Sequence, residues 1–186
     1  MEDRSKSSAI GAQDGRSDRR DAGVTNTAVA AAKPSARTVD TTSALNARVM
    51  VVEDDRDLLV IFRKVLESAG FEVVTALDGK QALRRFRKER FDAVITDISM
   101  PEMDGMELIR LIRLVDLDVP VVIVTAAPSV NSAIKAIEYG ALRYLTKPVP
   151  HGELINITRQ AVRLHEIARL KREALALSGI ADRDFG

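Results

Sequence analysis

Polar side chains follow four apolar runs of the sequence, at points where buried strands would end. They are Glu53, Asp54 and Asp55 after RVMVV, Asp97 after FDAVIT, Thr125 at the end of VPVVIVT, and Lys147 after ALRYLT. A carboxylate in such a place can attack phosphorus, while an ammonium group and a hydroxyl stabilise the charge of the transferred group. These residue types therefore indicate chemistry of the aspartyl-phosphate kind, with Asp97 as the candidate nucleophile.

The crowded carboxylates also predict a cation. Glu53, Asp54 and Asp97 would repel one another and have raised pKa values, and Lys147 offsets only one of their three charges. A divalent cation would offset the other two. Since the candidate ligands are all oxygen atoms, with no histidine or cysteine nearby in the sequence, the hard ion Mg²⁺ is favoured.

Strands and helices alternate along the part of the chain that carries these residues. Apolar runs predict five strands, at residues 48–52, 71–75, 92–96, 119–125 and 141–145. Helical spacing of apolar residues follows each run, with the fourth helix expected from Pro128 to Tyr139 and the fifth from near His151. Residues suited to helix ends mark the boundaries: Asp55, Asp78 and Asp104 as N-caps, and Gly70 and Gly140 after the C-termini.

This alternation predicts a parallel sheet in a three-layer α/β sandwich, and both Rossmann-like and flavodoxin-like sheets qualify. If strands one, three, four and five are neighbours, the candidate residues converge at the carboxyl ends of the strands, where open α/β sheets form their sites. No G-x-G-x-x-G follows the first strand and no G-x-x-x-x-G-K occurs, so dinucleotide or nucleotide binding has no support.

Four stretches, in this order and on these elements, resemble the response-regulator receiver domain of two-component signalling over roughly residues 47–166. They are VVEDD, DISMPEMDG, VIVTA and YLTKP. The resemblance implies a flavodoxin-like (βα)5 sandwich with sheet order 2-1-3-4-5, and it implies that Asp97 is the phosphoacceptor. It also implies that Pro148 follows a cis peptide bond.

The same resemblance implies roles for the other strand-end residues. Glu53 and Asp54 would form the acidic pair that holds Mg²⁺ together with Asp97 and the backbone carbonyl of Ser99. Thr125 would be the switch hydroxyl, Tyr144 the switch aromatic and Lys147 the phosphate-binding lysine. The family more often has Asp where this chain has Glu53, so a water-mediated contact is expected for Glu53 and a direct one for Asp54.

The implied function is a signalling switch and not an enzyme, with at most slow self-dephosphorylation. A sensor histidine kinase or histidine phosphotransfer protein would pass a phosphoryl group to Asp97. The face of helix four, strand five and helix five would then change its binding to a partner or to a second copy. The alternative is a Mg²⁺-dependent aspartyl-phosphate phosphatase of haloacid-dehalogenase-like type, but such enzymes need a second Asp where this chain has Ser99.

Composition sets the remaining expectations. The 186 residues are 46% hydrophobic, carry a net charge of +1 and include no cysteine. These values suit one domain with appendages, give no argument for direct nucleic-acid binding, and exclude disulfides and thiolate metal sites. With no apolar run long enough for a bilayer and no secretory signal, a cytoplasmic protein without membrane contact is expected. Residues 1–46 lack hydrophobic periodicity and are expected to be a disordered tail.

The last helix is expected to extend beyond the domain. Its apolar spacing continues from Leu154 to Leu177, further than a helix needs to cover a sheet. Residues 167–186 are therefore expected to form a helical extension with a frayed C-terminus. The extension would be either a signalling helix or short coiled coil, offering a second route to a homodimer, or a simple helical tail. His151 and His165 are expected at the helix surface.

Overall fold

A computed structural model of the chain describes residues 47–181, with side chains described to residue 177. The predicted disordered tail of residues 1–46 and the final residues 182–186 lie outside the described residues. Within residues 47–181, the structure contains no helical segment with the length and hydrophobicity of a membrane span.

Five strands alternate with five helices, as the apolar pattern predicted. In chain order they are β1 Arg48–Val52, α1 Arg56–Ser68, β2 Glu72–Ala76, α2 Gly79–Phe86, β3 Ala93–Thr96, α3 Gly105–Arg113, β4 Val121–Thr125, α4 Val130–Glu138, β5 Arg143–Thr146 and α5 His151–Ala181. The strands pair in parallel in the order β2-β1-β3-β4-β5. The flavodoxin-like three-layer fold is therefore confirmed, and the Rossmann-like order is excluded.

Alternating side chains of the central strands fill two separate cores, because successive residues of a strand point to opposite faces. Met50 and Val52 of β1 pack on one face with α2, α3 and α4. Val49 and Val51 pack on the other with α1 and α5. Every residue of β3 and β4 is buried, as expected for strands covered on both faces.

Predicted capping residues mark the starts of three helices and the ends of two. Asp55 accepts hydrogen bonds from the N–H groups of residues 57 and 58, and Asp78 and Asp104 each accept one at the start of α2 and α3. Gly70 and Gly140 have φ of 94° and 78° just after α1 and α4, where a side chain would be strained. The predicted capping roles of all five residues are confirmed.

Three predicted starts are wrong by two residues. The fourth strand begins at Val121 and not at Val119, and the other two differences have local reasons. The fourth helix begins at Val130 and not at Pro128, because the Ser129 side chain caps it by accepting from the N–H of Ser132. The fifth strand begins at Arg143 and not at Ala141, since the N–H of Ala141 still closes α4 by bonding the carbonyl of residue 136.

Helix α5 is much longer than the sheet that it covers. Its 31 residues run without interruption from His151 to Ala181. At 1.5 Å per residue this is about 46 Å, whereas a five-residue strand spans about 17 Å. The predicted extension beyond the domain is thus present as regular helix through residue 181.

Candidate functional site

The backbone brings two acidic strand ends side by side. In the register of the sheet Val52 of β1 pairs with Thr96 of β3, so Glu53 and Asp97 each stand one residue beyond that pair. Glu53 N–H donates to the carbonyl of residue 76 at 3.1 Å, and Asp97 N–H donates to the carbonyl of Val52 at 3.0 Å. Both acids are therefore held by the last hydrogen bonds of the sheet.

Three carboxylates meet at this rim. Glu53, Asp54 and Asp97 each offer an oxygen atom within 4.8 Å of the others. Glu53 and Asp97 are 2% and 6% exposed, while Asp54 is open to solvent. Oxygen ligands from two buried acids and one exposed acid fit Mg²⁺, which keeps several waters and takes one or two carboxylates directly.

Lys147 lies between the two buried acids. Its Nζ is 2.6 Å from Glu53 Oε2 and 2.7 Å from Asp97 Oδ2. Burial raises the pKa of Glu53, with a further rise from the nearby Asp97 charge, and together these outweigh the lowering by Lys147. Burial alone would lower the pKa of Lys147, but hydrogen bonds and charge from the two acids raise it. The Lys147 ammonium group is thus kept charged, while burial disfavours the ionised form of the neighbouring Glu53 carboxyl group.

The loop after β3 fixes the second oxygen of Asp97. Asp97 Oδ1 accepts from the N–H of Ile98 at 2.6 Å and from the N–H of Ser99 at 3.3 Å. The loop then folds back, since Gly105 N–H donates to the Ile98 carbonyl at 2.9 Å. A Cβ on Gly105 would lie 2.0 Å from the Asp97 carbonyl oxygen. Only glycine therefore allows α3 to start this close to the strand end.

Pairing of β4 with β5 brings Thr125 and Lys147 next to each other. Thr125 of β4 pairs with Thr146 of β5, and Lys147 N–H donates to the Thr125 carbonyl at 2.8 Å. The Thr125 side chain is buried, and its Oγ1 accepts from the N–H of Ala127 at 3.2 Å. The Lys147–Pro148 peptide bond is cis, as the resemblance implied.

Tyr144 forms a hydrogen bond with a residue in the first turn of α4. Its hydroxyl lies 2.7 Å from the Oγ of Ser132, and the ring is half-buried. Ser132 also forms a reciprocal capping box with Ser129. Ser132 was not among the predicted residues, because the usual capping-box pattern has glutamate or glutamine, and not serine, at this position.

The prediction for His165 is wrong, and that for His151 is confirmed. His151 is exposed, but the His165 side chain is only 12% exposed and its Nδ1 lies 3.3 Å from Asp92 Oδ1. The hydrogen bond from His165 lowers the pKa of Asp92 against the opposing effect of burial, with help from the N–H of Arg48. Asp92 precedes β3, so this contact lies at the end of the strand opposite Asp97.

Comparison with known proteins shows which proteins this chain resembles. A family model described as the response regulator receiver domain matches residues 49–159. Transcriptional regulatory protein PrrA of Mycobacterium tuberculosis is 42% identical over 114 residues, which are 61% of this chain and 49% of that protein. Two-component response regulator ARR10 of Arabidopsis thaliana is 36% identical over 138 residues, covering 73% of this chain and 25% of that protein. The chain thus spans about half of PrrA and a quarter of ARR10.

Solved structures agree with the family match. The CheY-like receiver domain protein from Methanospirillum hungatei superposes with a TM-score of 0.64 at 26% identity, over 66% of this chain and 98% of that one. A receiver domain protein from Clostridium thermocellum gives a TM-score of 0.63 at 32% identity, again over 66% and 98%.

Proposed function

Because this chain belongs to the response regulator receiver domain family, we propose that it accepts a phosphoryl group on Asp97 and works as a signalling switch. The donor would be the phosphohistidine of a sensor histidine kinase or of a histidine phosphotransfer protein. Receiver domains are phosphoacceptor switches and not conventional enzymes, so the expected change is one covalent event per molecule followed at most by slow self-dephosphorylation.

One observation carries this proposal: the buried carboxylate of Asp97 shares a rim with two other acids and contacts an ammonium group at 2.7 Å. A carboxylate placed only to pair with Lys147 would need no further acids nearby. Extra buried negative charge is costly unless a cation or an incoming group makes use of it. The cluster therefore supports a site that holds a metal ion and then a phosphoryl group.

In the proposed reaction, an Asp97 carboxylate oxygen forms a bond to phosphorus while the phosphorus–nitrogen bond of the donor histidine breaks. The electron pair returns to the imidazole, which leaves as the neutral ring once it is protonated. Lys147 Nζ would pair with a phosphoryl oxygen in place of the carboxylate oxygen that it now contacts. The Thr125 hydroxyl would donate a hydrogen bond to a second phosphoryl oxygen. The N–H groups of Ile98 and Ser99 keep the Asp97 carboxyl group oriented.

Magnesium would be held by Asp54 and Asp97, with Glu53 acting through water and Ser99 through its carbonyl. Receiver domains bind Mg²⁺ at their acidic pocket, and the oxygen-only donor set described above fits that ion. When bound, the ion supplies positive charge to the phosphoryl oxygens. The chain's own residues position the acceptor and balance the charge that remains.

Switching would pass from Thr125 to α4 by way of Tyr144. A phosphoryl group that draws the Thr125 hydroxyl toward the rim leaves room for the Tyr144 ring to turn inward, which breaks its 2.7 Å contact with Ser132. The outer side of α4 carries three exposed apolar residues at helical spacing, namely Val130, Ile134 and Ile137, which are 76%, 49% and 73% exposed. This apolar surface supports a partner or a second copy binding on the α4-β5-α5 face.

The phosphatase alternative is not retained. It requires a second acid two residues after the nucleophile, and Ser99 offers there a hydroxyl that cannot act as a general acid at neutral pH. The family match points to the receiver domain. PrrA is named a transcriptional regulator, but the net charge of +1 of this chain gives no argument for DNA contact, so we propose a protein-binding, cytoplasmic switch that itself contacts neither nucleic acid nor membrane.

The test is intact-mass measurement after incubation with Mg²⁺ and a small phosphodonor such as acetyl phosphate. The wild type is expected to gain one phosphoryl group, and Asp97→Asn none. Asp55→Asn is the matched control, because it removes a neighbouring acid whereas asparagine caps a helix as well as aspartate does. An adduct retained in Asp97→Asn, or rapid release of phosphate without an adduct in the wild type, contradicts the proposal.

A further inference from the structure

The second half of α5 carries an apolar surface on the side that faces away from its own domain. A helix turns 100° per residue, and the residues of α5 that are buried against the sheet, Leu154, Thr158, Ala161 and Val162, define its inner side. Arg172 continues that inner side, since its Nε pairs with Asp118 at 2.9 Å. The opposite side holds what we call the outer stripe: Ile167, Leu170, Ala174 and Leu177.

The same side of α5 is polar wherever the helix covers the sheet. Stepping back from the outer stripe by three and four residues gives Arg163, Gln160, Asn156 and Glu153, all of them exposed. The side becomes apolar only past residue 166, where Ile167, Leu170 and Leu177 are 44%, 52% and 70% exposed. A helix that served only its own domain would stay polar on its outside. The change therefore points to a contact outside the domain.

The spacing of the outer stripe matches a two-stranded coiled coil. Ile167 and Ala174 occupy a positions, and Leu170 and Leu177 occupy d positions of a heptad. A β-branched residue at a with leucine at d favours parallel dimers. Glu166 then falls at g and Lys171 at the following e position, so each Glu166 faces Lys171 of the other helix in a parallel, in-register pair.

We propose that the outer stripe is an interface with a second copy of this chain, formed as a parallel two-helix coiled coil over residues 166–177. The two-fold symmetry of such a pair uses the Glu166–Lys171 complementarity twice. Arg172 lies at f, away from the seam, so its ion pair with Asp118 is kept. This interface is separate from the α4-β5-α5 face and does not depend on phosphorylation of Asp97.

The expected dimer is weak. Stable coiled coils sustain their pattern over about three to four heptads, and the described stripe covers fewer than two. Dimerisation of the chain alone is therefore expected only at high protein concentration.

Cysteine cross-linking tests the interface directly, because the chain contains no cysteine. Leu177 lies in the outer stripe, whereas Leu175 occupies a b position away from the seam, and the two are 70% and 71% exposed. With a mild oxidant, Leu177→Cys is expected to form a covalent dimer at least ten times faster than Leu175→Cys, since two d positions face each other in a parallel pair. Equal rates, or faster coupling at Leu175→Cys, would overturn the proposal.

A second experiment measures the oligomeric state of the protein by sedimentation, without cross-linking. At a few hundred micromolar the wild type is expected to be partly dimeric, and Leu170→Lys monomeric with unchanged phosphoryl uptake from acetyl phosphate. A dimer that survives Leu170→Lys but dissociates in Ile134→Lys would assign self-association to α4 and refute the coiled coil. Because phosphoryl uptake is measured on the same variants, failure of the coiled coil and failure of the phosphoacceptor function are distinguished.

Discussion

Replacing Lys147 with methionine tests how the rim balances its charge. Methionine keeps an unbranched side chain of similar length but removes the ammonium group that lies 2.6 Å from Glu53 and 2.7 Å from Asp97. The two carboxylates, whose side chains are 2% and 7% exposed, then face each other with no counter-charge between them. Lys147→Met is therefore expected to lower the free energy of unfolding in the absence of divalent cations.

The size of the expected loss in free energy of unfolding is set by the process that relieves this repulsion at the lowest free-energy cost. Removing one partner of a buried ion pair costs about 3–5 kcal/mol. The site can limit this cost by protonating Glu53, whose ordinary pKa is 4.5. Protonation costs about 1.36 kcal/mol per pH unit above that value, or about 3.4 kcal/mol at pH 7 and about 0.7 kcal/mol at pH 5. The expected loss is thus about 3 kcal/mol at pH 7 and about 1 kcal/mol at pH 5.

The sign of this pH dependence follows from the raised pKa of Glu53. A carboxyl group with a raised folded-state pKa contributes most at low pH, and its contribution is lost as the pH rises from 4.5 through the folded-state pKa. Urea unfolding with EDTA at pH 5 and pH 7 measures both values, and saturating Mg²⁺ is expected to restore part of the loss at pH 7.

Lys80→Met is the matched control for this experiment. Lys80 pairs with Glu102 at 3.0 Å, but their side chains are 52% and 63% exposed. An exposed pair contributes less than about 1 kcal/mol and shows no comparable response to Mg²⁺. A loss in free energy of unfolding for Lys147→Met that does not exceed the loss for Lys80→Met at pH 7, or that is the same at both pH values, would contradict this role of Lys147.

Three further outcomes are expected. Gly105→Ala should cost about 3 kcal/mol in urea unfolding, because its Cβ would meet a backbone carbonyl at 2.0 Å, whereas Gly152→Ala, with nothing within 4 Å, should gain about 0.5–1 kcal/mol. Ser132→Ala should cost about 1 kcal/mol and increase the ring mobility of Tyr144 measured by NMR, while Ser132→Thr should keep the ring fixed. Calorimetric Mg²⁺ affinity should rise from pH 5 to pH 7, since protons compete at Glu53, whose pKa is raised by burial; a flat profile would contradict this.

The parts of the structure that the sequence predicted well are those set by local rules. An apolar run that ends at Glu53 or Asp97 marks a strand end, and Asp55, two residues after Glu53, is of a type that favours the start of a helix. Parallel strands with helical crossovers then bring the carboxyl ends of β1, β3, β4 and β5 to one rim. The choice of sheet order needed the resemblance to a family, because periodicity alone permits two orders.

The parts that could not be predicted depend on contacts between distant residues. The Ser132–Tyr144 hydrogen bond needs α4 to begin at Val130, which the Ser129 cap decides. The His165–Asp92 contact joins residues 73 positions apart, so nothing in the spacing of α5 indicates that this histidine turns inward. Lys147 was placed at the rim from the sequence, but its equal contact with Glu53 and Asp97 follows from side-chain packing.

The most direct test of the central claim is to locate the phosphoryl group. After incubation with a small phosphodonor and Mg²⁺, borohydride reduction converts an aspartyl phosphate to homoserine, and peptide mass spectrometry identifies the residue. We expect homoserine at position 97 and at no other acid. Reduction at Glu53 or Asp54, or no reduced residue in a protein that carries the phosphoryl mass, would contradict it.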